Sequence, residues 1–155
     1  MPWVVTAIFL FVGTIVQFSV WFLLIALVGR PRPSSPLMQV SMPENGFATF
    51  PSGHAMHDVV FYGLLLYASL SKPVSQWRYR WLLIPLQLYA ALSILLVGYS
   101  RVYEGSHWLT DALGGYLAGA LFLALLILLY RWAFDRMTKR RDQRLLRQAT
   151  HTQHV

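Results

Sequence analysis

Ser100-Arg101-Val102-Tyr103-Glu104-Gly105-Ser106-His107-Trp108-Leu109-Thr110-Asp111 is a polar island in an apolar chain. Apolar residues from Trp81 to Val97 lead into it, and Leu113 to Tyr130 lead out. The island holds one arginine, one histidine and two carboxylates. His107 and Asp111 are four residues apart, which on a helix puts them on one face, one turn from each other. An aspartate so placed can accept the proton on one ring nitrogen of His107 and leave the other nitrogen free as base or nucleophile. Arg101 offers a planar fork of donors suited to phosphate oxygens. A plainer reading also fits: a solvated loop before a helix, with Thr110 or Ser106 as cap and Asp111 favouring the helix N-terminus. The rest of the chain decides between the two.

Composition sets the class. Of 155 residues, 56% are hydrophobic and 12% charged, with mean hydropathy +0.48. Soluble domains carry about 25% charged residues, so an integral membrane protein of one domain is expected. Cysteine is absent, which excludes disulfides and thiolate chemistry. The net charge of +7 would suggest nucleic acid if the basic residues formed an arm or a face. They cluster beside hydrophobic spans instead, which fits membrane topology, and no nucleic-acid partner is expected. Met1 to Gly29 carries no charge and lacks the basic start of a signal peptide, so it reads as a spanning helix.

A bilayer core of about 30 Å needs about 20 apolar residues per helix. Four segments qualify: Trp3 to Val28, Ser52 to Leu70, Trp81 to Tyr99 and Trp108 to Trp132. The fold class is therefore all-α, an integral membrane bundle of about four transmembrane helices. Gly115 and Gly119 form a small-xxx-small pair that permits close helix packing, although such a pair also arises by chance in an apolar run. The Gly29–Pro51 connection is rich in Pro and Ser, with Pro31, Pro33, Pro36 and Pro43. Residues 1–135 read as the membrane domain and 136–155 as a basic tail, either a short amphipathic helix or disordered.

With four spans, ten of the thirteen Lys and Arg residues share a face with both termini. The positive-inside rule makes that face cytoplasmic. The chain is then a multi-pass inner-membrane protein whose polar islands face the periplasm or exterior. Trp3, Trp77, Trp81, Tyr99, Trp108, Tyr130 and Trp132 flank span ends and read as interfacial anchors.

Two further islands fall on the outward face. Pro51-Ser52-Gly53-His54 opens the second span, where Ser52 can cap a helix whose free N–H groups hold an anion and Gly53 lets that anion approach the backbone. Ordinary turn punctuation with an interfacial histidine reads equally well from this tetrapeptide alone. Arg30-Pro31-Arg32-Pro33 puts two arginines on the outward face, against the positive-inside bias, and an anionic ligand would account for them. Two histidines, several phosphate-suited donors and a carboxylate on one face suit phosphoryl transfer.

Taken in order, these islands resemble the type 2 phosphatidic acid phosphatase superfamily, which includes undecaprenyl pyrophosphate phosphatases and, more distantly, soluble vanadium haloperoxidases. The family pattern is Lys, six residues, Arg-Pro; then Pro-Ser-Gly-His; then Ser-Arg, five residues, His, three residues, Asp. Arg32-Pro33, Pro51 to His54, and Ser100-Arg101 with His107 and Asp111 match it in order and spacing, over about Gly29 to Gly119. The resemblance implies that His107 is the nucleophile, Asp111 its orienter, and His54 the acid and then the base. It implies that Arg32, Ser52, Gly53 and Arg101 bind phosphate, with no metal and no cofactor. The substrate it implies is a lipid phosphate or pyrophosphate in the bilayer. Undecaprenyl pyrophosphate comes first, ahead of phosphatidic acid, phosphatidylglycerol phosphate and lipid A phosphates.

Two departures stand out. The family lysine would fall at Ile25, with Arg30 as a substitute for its charge. Many membrane members have six spans, so four suggest a reduced form, or one that assembles with copies of itself or a partner subunit in place of the missing helices. Both departures leave room for the competing class, a weakly active or inactive membrane module that binds a phospholipid or a partner, for which Ile25 is the best support. A channel would need more midplane polarity than Gln17 and Gln87 supply. Beyond the family pattern, Asp58 follows His54 by four residues and could hold it as Asp111 holds His107, or could pair with His57 or a buried arginine. The spacing of His54, His57 and Asp58 also permits a metal reading, which is not adopted. His151 and His154 read as solvated.

Overall fold

The computed structural model describes the backbone of residues 2–33, 48–72 and 74–152, and the side chains of 7–9, 11–33, 48–72, 74–140 and 143. Pro36, Pro43, His154 and the side chains of Trp3, Arg141, Arg144, Arg147 and His151 lie outside the described residues. Four long helices follow in order: α1 (Pro2–Val28), α2 (Gly53–Leu70), α3 (Ile84–Tyr103) and α4 (Leu109–Thr152). Two 3₁₀ turns, Val74–Gln76 and Arg80–Leu83, join α2 to α3.

Each helix starts and stops for a local reason. α1 ends where Gly29 takes φ +60°, the left-handed region in which glycine carries no Cβ penalty. Ser52 caps α2, accepting from the Ala55 N–H at 3.5 Å. Pro85 sits in the first turn of α3, where a missing N–H costs nothing. α3 therefore begins later than Trp81, and it runs on past Tyr99 to carry Ser100 and Arg101 in its last turn. α4 continues without a break through the 135/136 junction as a helix of 44 residues, about 66 Å long. The tail backbone is therefore neither a separate short helix nor irregular up to Thr152.

Among the described residues, three helical stretches are long and apolar enough to cross a membrane: Ala7–Val28, Arg80–Tyr103 and Leu109–Arg140. α2 has the length, 18 residues, but not the apolar character, because His54, His57 and Asp58 occupy its first two turns. It packs against all three others and so lies at the centre of the bundle. The polarity of the molecule is inverted relative to a water-soluble domain. Phe11, Leu27, Leu95 and Leu121 point outward, while Gln17, Thr49, Ser52, Ser106, His107 and Asp111 are buried.

The α2–α4 seam is the tightest contact. Val60, Leu64 and Leu126 form its apolar core with Phe122, Leu123 and Ile127 packed against them. Gly115 and Gly119 both face α2: a Cβ on Gly115 would lie 2.5 Å from the Ser52 carbonyl oxygen, and one on Gly119 3.0 Å from that of Met56. The small-xxx-small pair thus lets two backbones touch. Polar side chains stitch the remaining seams. Gln87 donates to the Ser69 hydroxyl across α3–α2 at 3.0 Å. The Tyr116 hydroxyl on α4 accepts from the Gly98 N–H at 2.9 Å and donates to the Ile94 carbonyl at 2.8 Å, pinning the half of α3 that carries Arg101.

Gly115→Ala must push the first turn of α2 away from α4, since the obstructing atom is backbone. Overpacking of this kind costs about 1–3 kcal/mol, and the thermal unfolding midpoint of the detergent-solubilised protein is expected to fall accordingly. An unshifted midpoint would mean the helices are free to separate at this seam.

Candidate active site

The three polar islands meet at one end of the bundle. α3 ends at Tyr103, and Gly105 takes φ +72°, turning the chain back on itself. The N–H groups of Ser106 and His107 then both donate to the Arg101 carbonyl, at 3.1 and 3.2 Å, and the Ser106 hydroxyl donates to it at 2.9 Å. This turn delivers His107 just before α4. Asp111, in the first turn of α4, accepts from the Trp108 N–H through Oδ2 at 2.9 Å. That is one half of a capping box, so the plainer reading of Asp111 as a helix-start residue describes one of its two oxygens.

The other oxygen holds Arg30. Its Nη1 lies 2.9 Å from Asp111 Oδ1, and Asp111 has no exposed surface. Arg30 also donates to the Thr110 hydroxyl and lies over the Trp108 ring, 5.4 Å from its centroid. Trp108 in turn donates to the Pro31 carbonyl at 3.2 Å, so it clamps the loop after α1 as well as standing at a span end. Arg30 does not line the cavity described below. The expectation that it replaces the charge of the family lysine is corrected: its guanidinium is committed to Asp111.

His107 is held differently from the sequence expectation. Its Nδ1 lies 3.0 Å from the Thr49 carbonyl, within hydrogen-bond range, and 3.8 Å from Asp111 Oδ2, beyond it. A carbonyl only accepts, so Nδ1 carries the proton and Nε2 keeps its lone pair. Asp111 supports the ring by charge; Thr49 sets its tautomer. Thr49 is fully buried, and its own N–H donates to the Arg30 carbonyl at 2.9 Å. A contact made through a main-chain oxygen leaves no mark in residue identity, so no sequence signal singles Thr49 out.

His107, His54, Gly53 and Arg32 line one cavity of about 430 Å³, with Gln17, Phe18, Trp21, Ile25, Ala48 and His57 as its other walls. The two histidines of the separated islands thus face a common space, together with an arginine. Arg32 is braced by a 3.0 Å bond from Nη1 to the Ser106 carbonyl. Ile25, at the position of the family lysine, is an apolar wall. Gly53 is demanded by packing: a Cβ there would lie 2.7 Å from the Trp21 indole, whose Nε1 donates to the Pro51 carbonyl at 3.1 Å. Ser52 is fully buried behind the cavity, with its hydroxyl spent on the cap and its N–H donating to the Asp111 carbonyl at 2.9 Å. Its expected direct part in phosphate binding is therefore corrected to holding the start of α2.

Arg101 sits beside this cavity. Its guanidinium pairs with Glu104 at 3.2 Å, and its buried Nε has no hydrogen-bond partner. Both Arg101 and Glu104 are close enough to act on the charge of His54. Asp58 does not hold His54: among the described residues no hydrogen bond or ion pair joins them. His57 reaches Gln17, with Nδ1 3.4 Å from Oε1. Among the described residues, no three His, Asp or Glu side chains are grouped to hold a metal ion.

Electrostatics prepares His107 for its position. Burial, then the nearby Arg32 charge, pushes its pKa below the ordinary histidine value, against the opposing pull of Asp111 and the Thr49 carbonyl. At neutral pH the ring is neutral with a free Nε2 facing the cavity, the state a nitrogen nucleophile requires.

Comparison with known proteins gives one consistent answer. The PAP2 superfamily matches residues 4–136. Phosphatidylglycerophosphatase B of Bacillus subtilis (strain 168) is 32% identical over 118 residues, covering 76% of this chain and 52% of the relative. The chain thus spans about half the length of that protein. The crystal structure of a transmembrane PAP2 type phosphatidylglycerolphosphate phosphatase from Bacillus subtilis matches with a TM-score of 0.61 at 25% identity, over 83% of this chain and 58% of that one.

The His107 imidazole is expected to titrate below the free-histidine value of about 6.5 in an NMR pH series of the ring-labelled protein. Arg32→Gln removes a charge that lowers this pKa, so the midpoint moves to higher pH. A midpoint at or above the free value in the unaltered protein would contradict the burial described.

Proposed function

The chain belongs to the PAP2 superfamily, and from that membership and the cavity geometry we propose that it is a metal-independent membrane lipid phosphatase working through a phosphohistidine. The observation that carries the proposal is the convergence of His54, His107 and Arg32 on one cavity bounded by an apolar face of α1. Nε2 of His107 attacks phosphorus as the bond to the lipid oxygen breaks, and His54 gives its proton to that leaving oxygen. Water, losing a proton to His54, then attacks the phosphohistidine. The P–N bond breaks, and inorganic phosphate leaves. Arg32, Arg101 and the free N–H groups at the start of α2 stabilise the equatorial oxygens. Phosphate would draw Arg101 from Glu104 and supply the partner that its Nε lacks.

The substrate is a lipid phosphate whose tails remain in the bilayer. The relatives' names point to phosphatidylglycerol phosphate, while undecaprenyl pyrophosphate, the first expectation from the sequence, is named by neither. The site faces the periplasm or exterior with both termini cytoplasmic, in keeping with the distribution of Lys and Arg. The competing reading, a lipid-binding module without turnover, draws on Ile25, whose buried side chain gives the cavity one cation fewer than the family pattern.

Phosphate release from a panel of lipid phosphates and pyrophosphates in detergent separates these readings. Turnover is expected without added metal, and His107→Ala should reduce it at least about a thousandfold. Protein quenched during turnover should retain acid-labile, alkali-stable phosphate on His107. Turnover that survives His107→Ala would refute the mechanism, and silence across the whole panel would favour the binding module.

A further inference from the structure

Phosphoryl chemistry employs His54, His107 and Arg32, and leaves two polar residues of the same cavity without a role. His57 follows His54 by three residues on α2, so the two rings share a face about 5 Å apart along the helix. Opposite His57 stands Gln17, in the middle of α1. Gln17 is only 2% exposed. A carboxamide inside an apolar span is costly and calls for a partner.

The contact between the two residues is a weak clasp. The distance from His57 Nδ1 to Gln17 Oε1 is 3.4 Å, at the long limit of a hydrogen bond. It uses one polar atom from each residue. Among the described residues, nothing else bonds to the carboxamide's nitrogen or to Nε2 of His57. The His57 ring is meanwhile stacked on Phe61, with centroids 5.6 Å apart and planes 12° from parallel, so its edge is fixed. Oε1 only accepts, so Nδ1 of His57 carries the proton and the fixed imidazole orients the carboxamide, whose nitrogen is left as a donor in a residue lining the cavity, one turn beyond the phosphate groups.

We propose that the Gln17 carboxamide nitrogen, with the carboxamide held by His57, forms a second polar subsite that donates to a glycerol-linked ester oxygen of a glycerolipid phosphate such as phosphatidic acid. The proposal rests on the phosphatase reading above. In phosphatidic acid an ester oxygen follows the phosphate oxygen after two carbons, a reach comparable to the one-turn spacing of His54 and His57. A polyprenyl or simple alkyl phosphate presents only hydrocarbon there, and would leave the buried amide donor unpaired. Sites built to hydrogen-bond a substrate oxygen discriminate strongly against analogues that lack it. The pair therefore selects glycerolipid phosphates over polyprenyl ones.

The test compares dioctanoyl phosphatidic acid with dodecyl phosphate, which has no oxygen beyond its phosphate, as substrates of the full chain in detergent. The unaltered protein is expected to favour phosphatidic acid in kcat/KM by about tenfold or more. Gln17→Leu and His57→Phe should each collapse that ratio toward one, with the loss falling on phosphatidic acid. Dodecyl phosphate turnover reports whether each variant is folded. A preference retained in both variants, or a proportional loss on both substrates as expected for a mere interhelical clasp, overturns the subsite. So does an unaltered protein with no preference. Hydrolysis of neither lipid by the unaltered protein removes the phosphatase reading itself, and the subsite with it.

Discussion

Asp111 carries a carboxylate with no exposed surface, at the end of a bundle whose exterior is hydrocarbon-like. A charge taken out of water persists only if it is paired and its lone pairs are occupied. Asp111 satisfies that demand by drawing in every island. Arg30 arrives from the loop after α1, and the Trp108 N–H from the start of α4. The Asp111 carbonyl meanwhile receives the N–H of Ser52 at the start of α2. Three segments distant in sequence are fixed relative to one another because one buried residue needs them all. His107, 3.8 Å from the same carboxylate, inherits the geometry.

This arrangement divides labour among the arginines. Arg30 is structural: it neutralises Asp111 and covers Trp108. Arg32 is braced on a carbonyl and keeps its charge toward the cavity, where it helps hold His107 neutral. Arg101 rests on Glu104, a carboxylate that a phosphate dianion can outcompete. Charge left over for a ligand is what distinguishes an anion pocket from a salt-bridged scaffold.

α2 carries the price of polarity. It bears His54, His57 and Asp58 and, among the described residues, is the one long helix too polar to span a bilayer by its own composition. Its position resolves this: α2 packs against α1, α3 and α4, whose apolar surfaces turn outward, while His54 and His57 line the cavity. Gly115 and Gly119 let α4 come near enough for that enclosure. Close backbone packing and a polar interior are thus two sides of one constraint, since a loosely packed bundle would expose these groups to lipid.

Much of this was legible in the sequence. The all-α class and three of the four long helices followed from apolar run lengths, while α2 proved too polar for the span expected of it; the family was carried by the resemblance of the motifs holding Arg32, His54, Arg101, His107 and Asp111. Those signals are local, and the length of a span and the period of a helix are imposed by the bilayer and the backbone. Partner choice was not legible. Arg30 read as a spare cation and is bound to Asp111; Ser52 read as a phosphate ligand and is a buried cap; Asp58 read as the holder of His54 and makes no bond to it. Thr49 carried no signal at all, since it acts through its carbonyl. Sequence alone determined which chemical groups are present and on which helices. Only the tertiary structure decided which group faces which, because a hydrogen bond depends on ångström-scale distances between segments that sequence spacing does not encode.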